Sequence, residues 1–457
     1  MNIIICGAGR VGYGIAEQLS AERNSVTIVD ISADLIQTVT TELDVRGIVG
    51  NGSFPSVLQD AGAENADMII AVTYSDEVNM IACQIAHSLF GTPMKIARVR
   101  AQDYLEDRWR DLYSRKNMPI DIIISPEIEI GKAVLRRLNT PGAFDVVPFA
   151  NGTVQLVGVH IKDECPIVNI PVQQIDQLFP DLKATIVGVS REKQFFVPKH
   201  DDQLEIGDDA YFVVESINAH RLFDIVGSIE EKARQIVIIG GGNIGSFVAR
   251  ELEKVTSVRV RVIEKDKARA ERTADQLRQT VVLNGDALSV AVQEEAGVGD
   301  AQTVLCLTND DKTNILASIM AKSIGNAQVF SLINDTSFLD MKSSLDIDMI
   351  IDPRMTTVSS ILTHVRKGRI LDVFAIENGL AEVMEGEVLE TSPMSGKSLA
   401  DSAIPDGVAI GAIIRDNVVL KPKPELIIRN RDRIVLSAEK SDLKFVEQLF
   451  RVSLDYF

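Results

Sequence analysis

Two glycine-rich stretches have the spacing of a loop that binds the phosphates of a nucleotide. The first is Gly7–Gly12 (GAGRVG), which follows the apolar run NIIIC, and the second is Gly240–Gly245 (GGGNIG), which follows QIVII. In such a loop the first glycine permits a tight turn, the second lets the backbone approach a phosphate, and the third allows the helix to pack closely on the strand. The start of the next helix then offers free N–H groups and a partial positive charge to the phosphates.

An acidic residue follows each loop at the distance expected of a ribose contact. Asp30 lies 18 residues beyond Gly12 (30 − 12), and Glu264 lies 19 residues beyond Gly245 (264 − 245). A carboxylate at this position accepts hydrogen bonds from ribose hydroxyls and repels a 2′-phosphate, which favours NAD or an adenine nucleotide over NADP.

The two nucleotide sites are not expected to be equal. The segment KIARVR supplies Arg98 and Arg100 where the fifth strand ends, whereas QVFSLIN in the second copy places Ser331 and Ile333 there, and Arg10 is replaced by Asn243. Arginines pair with phosphate oxygens through two hydrogen bonds, so we expect tighter binding to the first copy. Two alternatives stay open, a plain surface role for Arg10 and a second copy that serves only as a scaffold.

The whole chain is a tandem duplication. Gly7 matches Gly240 at an offset of 233, and the stretches around Asn51-Gly52 and Asn284-Gly285 match at the same offset. Pro126 matches Pro353 at 227, and Arg191 matches Arg415 at 224. A register held over so many residues indicates two copies of a two-part unit.

The first part of each copy has the pattern of a parallel sheet covered by helices. Its short runs are continuously apolar, as expected of strands buried on both faces, and helical segments such as Val11–Ala21 and Asp76–Leu89 separate them. The predicted strands of the first copy are Asn2–Cys6, Val26–Val29, Gly47–Val49, Met68–Ala71, Lys95–Val99 and Ile122–Ile124.

The second part of each copy alternates apolar and polar residues around turns, which indicates a small module of antiparallel hairpins. The predicted fold is α/β, with two Rossmann-like doubly wound domains, each followed by a small α+β C-terminal module. The predicted divisions are a first Rossmann-like domain at 1–125, a linker helix at 126–144, a first module at 145–230, a second Rossmann-like domain at 233–352, a second linker helix at 353–370 and a second module at 371–457.

The linker helices, Glu127–Leu138 and its repeat Met355–Val365, carry apolar residues along one face. In the first of them this stripe is Ile128, Val134, Leu135 and Leu138. It could cross to another subunit or pack on its own domain, and the second arrangement is the more common for a single helix.

Residues for catalysis or metal binding are not apparent. The five histidines are not repeated between the copies, and the four cysteines are scattered without a metal-ligand spacing. No run is long enough to span a bilayer. The net charge of −18 disfavours nucleic acid as a partner and suits a partner with a basic face. We therefore expect a protein that is not an enzyme, in which no residue is catalytic and none binds a metal.

The stretches MNIIICGAGRVG, KIARVR, IVIIGGGNIG and LTNDDKTNILASIMAK resemble the TrkA family, the peripheral subunits of bacterial Trk potassium-uptake systems. The resemblance covers both copies over essentially the whole chain. It implies tandem RCK domains (regulators of potassium conductance) that bind NAD or NADH, with ATP or ADP as further ligands. It also implies a homo-oligomeric ring, a dimer of dimers, beneath a membrane potassium-translocating subunit. The protein would be cytoplasmic and peripheral on the inner face of the plasma membrane.

The resemblance also assigns the nucleotide contacts by position: the loops to the diphosphate, the acids to the ribose, and the residues after the third strand to the base. At this last position Asn51-Gly52-Ser53 departs from the Gly-Asp dipeptide common in the family, which Gly285-Asp286 keeps. The candidate contacts are Gly7, Gly9, Arg10, Val11, Gly12, Asp30, Asn51, Gly52, Ser53, Thr73, Arg98 and Arg100 in the first copy, and Gly240, Gly242, Asn243, Ile244, Gly245, Glu264, Asp286, Ala287 and Thr308 in the second.

Two other functions remain open at this point. A soluble NAD-dependent oxidoreductase is suggested by the glycine loop alone, but it would need a proton donor beside the nicotinamide. A regulatory subunit of a different cation transporter would share most of the features above.

Overall fold

The structure is a computed structural model, which describes residues 1–21, 24–114, 116–192, 194–227, 232–339, 345–365, 370–376 and 379–450. The chain divides into two compact units. Unit 1 comprises Met1–Lys132 and Arg234–Ile361, and unit 2 comprises Ala133–Ala233 and Leu362–Phe457. Each unit therefore contains one part from both copies of the duplication.

In unit 1 the first copy forms a six-stranded parallel sheet, in the order β3-β2-β1-β4-β5-β6. This is the strand order of a doubly wound dinucleotide-binding fold. β1 and β4 lie at its centre, and their side chains are almost all buried because helices cover both faces. The elements are β1 (Asn2–Cys6), α1 (Arg10–Ala21), β2 (Ser25–Asp30), α2 (Ala33–Glu42), β3 (Arg46–Val49), α3 (Pro55–Asp60), β4 (Met68–Ala71), α4 (Asp76–Phe90), β5 (Met94–Arg98), β6 (Ile122–Ile124) and α5 (Pro126–Asn139).

The second copy repeats this sheet, in the order β14-β13-β12-β15-β16-β17. Strand β12 corresponds to β1, and β17 corresponds to β6. The second half adds the elements β12 (Gln235–Ile239), α8 (Asn243–Leu252), β13 (Arg259–Glu264), α9 (Lys267–Gln276), β14 (Val281–Asn284), α10 (Val290–Glu295), β15 (Thr303–Cys306), α11 (Asp311–Ile324), β16 (Gln328–Leu332), α12 (Thr336–Leu339), β17 (Met349–Ile351) and α13 (Pro353–Val365). We call these two parts of unit 1 the first and second Rossmann halves.

Unit 2 contains two small modules, each with a five-stranded antiparallel sheet, in the orders β10-β9-β11-β8-β7 and β21-β20-β22-β19-β18. The two orders match strand for strand, so the duplication extends to the modules. Their elements are β7 (Asp145–Phe149), β8 (Val154–His160), α6 (Val172–Leu178), β9 (Ala184–Arg191), β10 (Gln194–Phe196), β11 (Asp209–Glu215) and α7 (Ala219–Val226), then β18 (Ile370–Ile376), β19 (Ala381–Glu387), β20 (Val408–Arg415), β21 (Val418–Leu420), β22 (Arg433–Glu439) and α14 (Leu443–Leu449).

The predicted fold class is confirmed, with strand limits in the first copy that differ by one residue at most. The borders between the two units fall inside α5, after Lys132, and inside α13, after Ile361. The predicted module limits at 230 and 457 and part of the predicted linker at 353–370 lie outside the described residues.

The predicted apolar face of the first linker helix packs inside the chain at two of its four positions, where Val134 and Leu138 are buried. Ile128 and Leu135 on the same face are only partly buried. Contact of this helix with another subunit stays a prediction.

Candidate functional site

The two glycine loops have the backbone geometry that phosphate binding requires. Gly7 has φ +113° and Gly240 has φ +108°, a left-handed conformation that favours glycine. A Cβ added at Gly7 would also lie 2.9 Å from the backbone nitrogen of Thr73, so only glycine fits. A Cβ added at Gly9, or at the equivalent Gly242, would meet no described atom within 4 Å, so the middle of both loops is open.

The acids that end β2 and β13 accept hydrogen bonds from the backbone of the loops. Oδ2 of Asp30 accepts a hydrogen bond of 2.7 Å from the backbone N–H of Ala8. Oε2 of Glu264 accepts the equivalent bond, of 2.9 Å, from Gly241. Asp30 is only partly buried, whereas Glu264 is 5% exposed. The ribose contact predicted from the sequence is therefore more accessible in the first copy.

The structure corrects the match that the sequence suggested at the predicted base contact. The third strand of each half ends on the residue directly before Gly50 and Gly285, and there it pairs with the acid of the second strand. Asn51 therefore corresponds to Asp286, and not to Asn284. The mismatch arose because the segment between the second and third strands differs in length between the copies. The first copy keeps the glycine of the Gly-Asp dipeptide and replaces only the acid by its amide.

The predicted base contacts differ in charge between the copies. In the second copy Lys265 forms an ion pair of 2.8 Å with Asp286, and this hydrogen bond lowers the pKa of the Asp286 carboxyl. In the first copy Ile31 stands in place of Lys265 and is 76% exposed, and Oδ1 of Asn51 accepts a bond of 2.9 Å from the backbone of Ser53. An exposed apolar side chain beside Asp30 offers a surface on which an adenine ring can pack.

The residue that follows the predicted base contact is buried in both copies. Gly52 is buried, and a Cβ there would lie 2.9 Å from Sγ of Cys6. Its equivalent Ala287 is also buried. Contact of either residue with a nucleotide stays a prediction.

A buried asparagine, missed as a site residue, positions Thr73. Oδ1 of Asn79 accepts hydrogen bonds from the backbone N–H of Thr73 (2.8 Å) and from its hydroxyl (2.7 Å). Nδ2 of Asn79 donates to the carbonyl of Arg98 at 2.9 Å. Asn314 and Thr308 repeat the first two bonds at 3.0 and 2.6 Å. The recurrence of the Thr…Asn pair in both copies was the signal that could have revealed it.

The two predicted phosphate-binding arginines are held differently. Arg98 donates from Nη2 to the carbonyl of Thr73 at 2.8 Å, while its Nε is buried without a hydrogen-bond partner among the described residues. Burial, and then the charge of Arg100, lower the pKa of Arg98. Burial also lowers the pKa of Arg100, but the Glu127 carboxylate lies 2.7 Å away and has the larger combined effect, so the pKa of Arg100 is raised. Arg98 therefore has a buried N–H donor without a partner among the described residues.

The strand ladders also correct the counterparts of these arginines. The first arginine is the last residue of β5 and pairs with the last residue of β6. In the second half the residue so placed is Leu332, which pairs with the last residue of β17. The counterparts are thus Leu332 and Asn334, and not Ser331 and Ile333. The conclusion that the second copy lacks both arginines is unchanged.

The first two residues of the helices that follow the loops, α1 and α8, differ between the copies in their contacts or burial. Arg10 is exposed and lies 3.5 Å from Asp335, which belongs to the second Rossmann half, and Asn243 is also exposed. Val11 is partly buried, whereas Ile244 is buried. Close helix packing also explains the third glycines, because a Cβ at Gly12 would overlap the carbonyl of Gly7.

Membrane-spanning helices and metal-binding clusters are both absent from the described part of the chain. None of its helices is long and apolar enough to cross a membrane. The described residues contain no group of three or more histidine, cysteine, aspartate or glutamate side chains that could hold a metal ion.

Comparison with known proteins places the chain in a family. The TrkA-N domain model matches residues 3–126 and again 236–353, and the TrkA-C domain model matches 383–451. The chain belongs to the TrkA family. It is 49% identical, over the full length of both chains, to a TrkA protein named a Trk system potassium uptake protein from Azorhizobium caulinodans. It is 38% identical, again over both full lengths, to the TrkA protein of that name from Halomonas elongata.

Solved structures share the fold of this TrkA-family chain. The RCK domain of GsuK superposes with a TM-score of 0.60 at 20% identity, over 98% of this chain and 94% of that one. The GsuK channel bound to NAD gives 0.60 at 19% identity, over 98% and 78%. At this identity the likeness concerns the fold, two Rossmann-like halves each with a C-terminal module.

Proposed function

We propose that this chain is a cytoplasmic regulatory subunit that binds NAD or NADH, with ATP or ADP as competing ligands, and thereby gates a membrane potassium-uptake protein. The observation that carries the proposal is the first glycine loop, beside which the carboxylate of Asp30 is accessible, whereas its counterpart Glu264 beside the second loop is buried. The potassium part is supported by the names of the TrkA relatives. The nucleotide part is supported further by the NAD-bound channel of the same fold.

The first Rossmann half has a group suited to each part of a dinucleotide. The loop and the start of α1 would hold the diphosphate, and Asp30 would accept hydrogen bonds from the adenosine ribose. Ile31 and Asn51 would contact the adenine. Arg98, whose Nε has no hydrogen-bond partner among the described residues, would turn its guanidinium toward a phosphate oxygen and donate to it, because a largely buried guanidinium gains most from an anion.

A change of shape could start from the helices that follow the loops. Gly14 of α1 packs against Val358 of α13, and Gly131 of α5 packs against Phe247 of α8. Each loop helix thus contacts the linker helix of the other Rossmann half. A nucleotide shifts such an arrangement only if it binds one shape better than another, by a coupling of about 1–3 kcal/mol per site.

The proposal includes assembly and the absence of catalysis. The chain would form a homo-oligomeric ring of dimers on the inner face of the membrane, beneath the potassium-translocating subunit, and would not turn over its nucleotide. Turnover of NADH with a common metabolite would instead support the oxidoreductase.

The experiment is rubidium uptake at low external potassium in a strain from which the gene is deleted. We expect low uptake that the wild-type gene restores. Gly9→Asp should restore less, since it places a carboxylate where the phosphates would lie, while the matched change Gly242→Asp in the second loop should restore nearly all. Normal uptake in the deletion strain would contradict the proposal.

A further inference from the structure

The two Rossmann halves contact each other through positions that the duplication makes equivalent. Gly14 and Phe247 are equivalent, since both lie at the fifth position of the loop helix and differ by 233 (247 − 14). Gly131 and Val358 are equivalent at the sixth position of the linker helix and differ by 227 (358 − 131). The interface in unit 1 therefore contains the same contact twice, once in each direction.

At both contacts a glycine faces a larger side chain. A Cβ added at Gly14 would lie 3.1 Å from Cγ2 of Val358. A Cβ added at Gly131 would be closer still to the ring of Phe247, at a separation that real Cβ atoms do not show. The first half supplies both glycines, and the second half supplies both large residues.

Unit 2 shows the same arrangement with the roles reversed. Val187 and Gly411 are equivalent in β9 and β20, and Val213 and Ser437 are equivalent in β11 and β22, each at an offset of 224. A Cβ added at Gly411 would lie 2.6 Å from Cβ of Val213. The hydroxyl of Ser437 donates to the carbonyl of Val187. Here the second module supplies the small residue at both contacts, which meets the side chain of Val213 at the first and the backbone of Val187 at the second.

We propose that this exchange of small for large residues makes each copy complementary to the unlike copy of the chain and not to a like copy from a second chain. In a twofold-symmetric pair of like copies, the loop-helix position of one copy would face the linker-helix position of an identical copy. Two first Rossmann halves would place Gly14 against Gly131 and leave a gap at each contact. Two second halves would place Phe247 against Val358, where there is no room.

Discrimination by a gap in one wrong pair and an overlap in the other is a general route to specific pairing. It does not depend on the proposed nucleotide or potassium function. Its consequence is that the halves of one chain close on each other, so that association with further chains uses surfaces other than these contacts.

A cross-link across the interface tests the selection in the full chain. Arg10→Cys and Asp335→Cys place two thiols on the facing halves, where the native side chains are 3.5 Å apart. The four native cysteines are all buried, so a short bismaleimide should react mainly with the introduced pair. We expect a product of single-chain mass on a denaturing gel.

Gly14→Phe is then added to this cysteine variant. In a pair of first halves the new phenylalanine would face Gly131 and fit, whereas in the native pair it overlaps Val358. We expect roughly tenfold less single-chain product, and recovery when Val358→Gly is added, because the pair then repeats the Phe247–Gly131 contact. An unchanged yield in Gly14→Phe, or no recovery in the double variant, would overturn the proposal.

A second measurement covers the case in which Gly14→Phe does not fold. Gly131→Val and Phe247→Gly should each lower the thermal midpoint, and together they should recover most of the loss, since the pair then repeats the Gly14–Val358 contact. Lys132→Val, next in the same helix but exposed, is the matched control and should change the midpoint little. Losses that simply add in the double variant would overturn the proposal.

Discussion

At the scale of single residues, the proposed nucleotide site of the first copy would depend most on the guanidinium of Arg98. Nη2 of Arg98 donates to the carbonyl of Thr73, and its buried Nε has no hydrogen-bond partner among the described residues. Arg100, in contrast, is already paired with Glu127 and lies 5.2 Å from the ring of Tyr74. A phosphate would complete the bonding of Arg98, whereas it would have to compete with Glu127 for Arg100.

Arg98→Gln should therefore weaken NAD binding by about tenfold or more, since a charge-assisted hydrogen bond contributes roughly 1.5–3 kcal/mol. The measurement is calorimetric titration of the purified full chain. Asn334→Ala, at the second-copy counterpart of Arg100, is the control and should leave the affinity unchanged. Equal affinities of Arg98→Gln and the wild type would contradict a phosphate contact.

Residue identity alone revealed the loops but not the register between the copies. The sequence located the tight turns at Gly7 and Gly240 and the acids at the strand ends, because each residue type has a fixed structural role there, while their contact with a nucleotide stays a prediction. The match of Asn51 was displaced because another Asn-Gly lies nearby in the second copy, and the match of Arg98 was displaced because the connecting segments differ in length. Only the hydrogen-bond ladders fix which residue ends each strand.

At the scale of elements, the end of β4 is tied to both α4 and β5 through Asn79. Its side chain, fully buried, bonds to Thr73 twice through Oδ1 and reaches the carbonyl of Arg98 through Nδ2. Replacing it would leave several buried polar groups unsatisfied and release the strand end that carries Arg98. Asn314 has the same role in the second half, where no arginine follows.

Asn79→Leu and Asn314→Leu form a matched pair. We expect each to lower the free energy of unfolding by about 2–4 kcal/mol, because a buried hydrogen-bond network is lost. Only Asn79→Leu should also weaken NAD binding. Urea unfolding and calorimetry on both variants would check this, and equal loss of NAD affinity in the two would show that the first site is not the main one.

A second element, β7, carries an acid that should make stability depend on pH. Burial raises the pKa of the Asp145 carboxyl to about 6, although Arg136 opposes this. Its pKa in an unfolded chain is about 3.9, so the folded form binds the proton more tightly. Ionisation of this group therefore disfavours the fold, so its contribution lowers the free energy of unfolding as pH rises from about 4 to about 6.

Asp145→Asn should remove this decline and leave unit 2 more stable near neutral pH, by about 1–2 kcal/mol after allowance for partial solvent screening. Thermal midpoints at about pH 4 and about pH 7 would measure it. The exposed change Asp181→Asn should keep the wild-type profile. The same pH profile in Asp145→Asn and the wild type would contradict the assignment.

At the scale of the whole molecule, the sequence predicted the duplication, the two parallel sheets and the two modules. It did not predict that like parts of the two copies would join in the same unit. The residues that decide this, such as Gly14 and Phe247, look like ordinary helix positions until their partners are known. Contacts between distant parts of a chain leave no periodic signal in the sequence.

The two sites of the molecule also differ in ways that only the folded chain shows. The second has a buried Glu264 and an ion pair between Lys265 and Asp286 at the predicted base contact, while the first presents Asp30 and Ile31 to solvent. The two copies therefore differ in the accessibility and pairing of the predicted ribose and base contacts, and not in the openness of the loops themselves, since a Cβ at Gly9 or at Gly242 would meet no described atom within 4 Å.

Titration of NAD into the purified full chain tests this central claim most directly. We predict one tight site per chain, lost in Gly9→Asp and kept in Gly242→Asp, because Asp30 and Ile31 are accessible beside the first loop, whereas Glu264 is buried and Asp286 is paired with Lys265 beside the second. Two equal sites per chain, or binding that survives Gly9→Asp and disappears in Gly242→Asp, would contradict it.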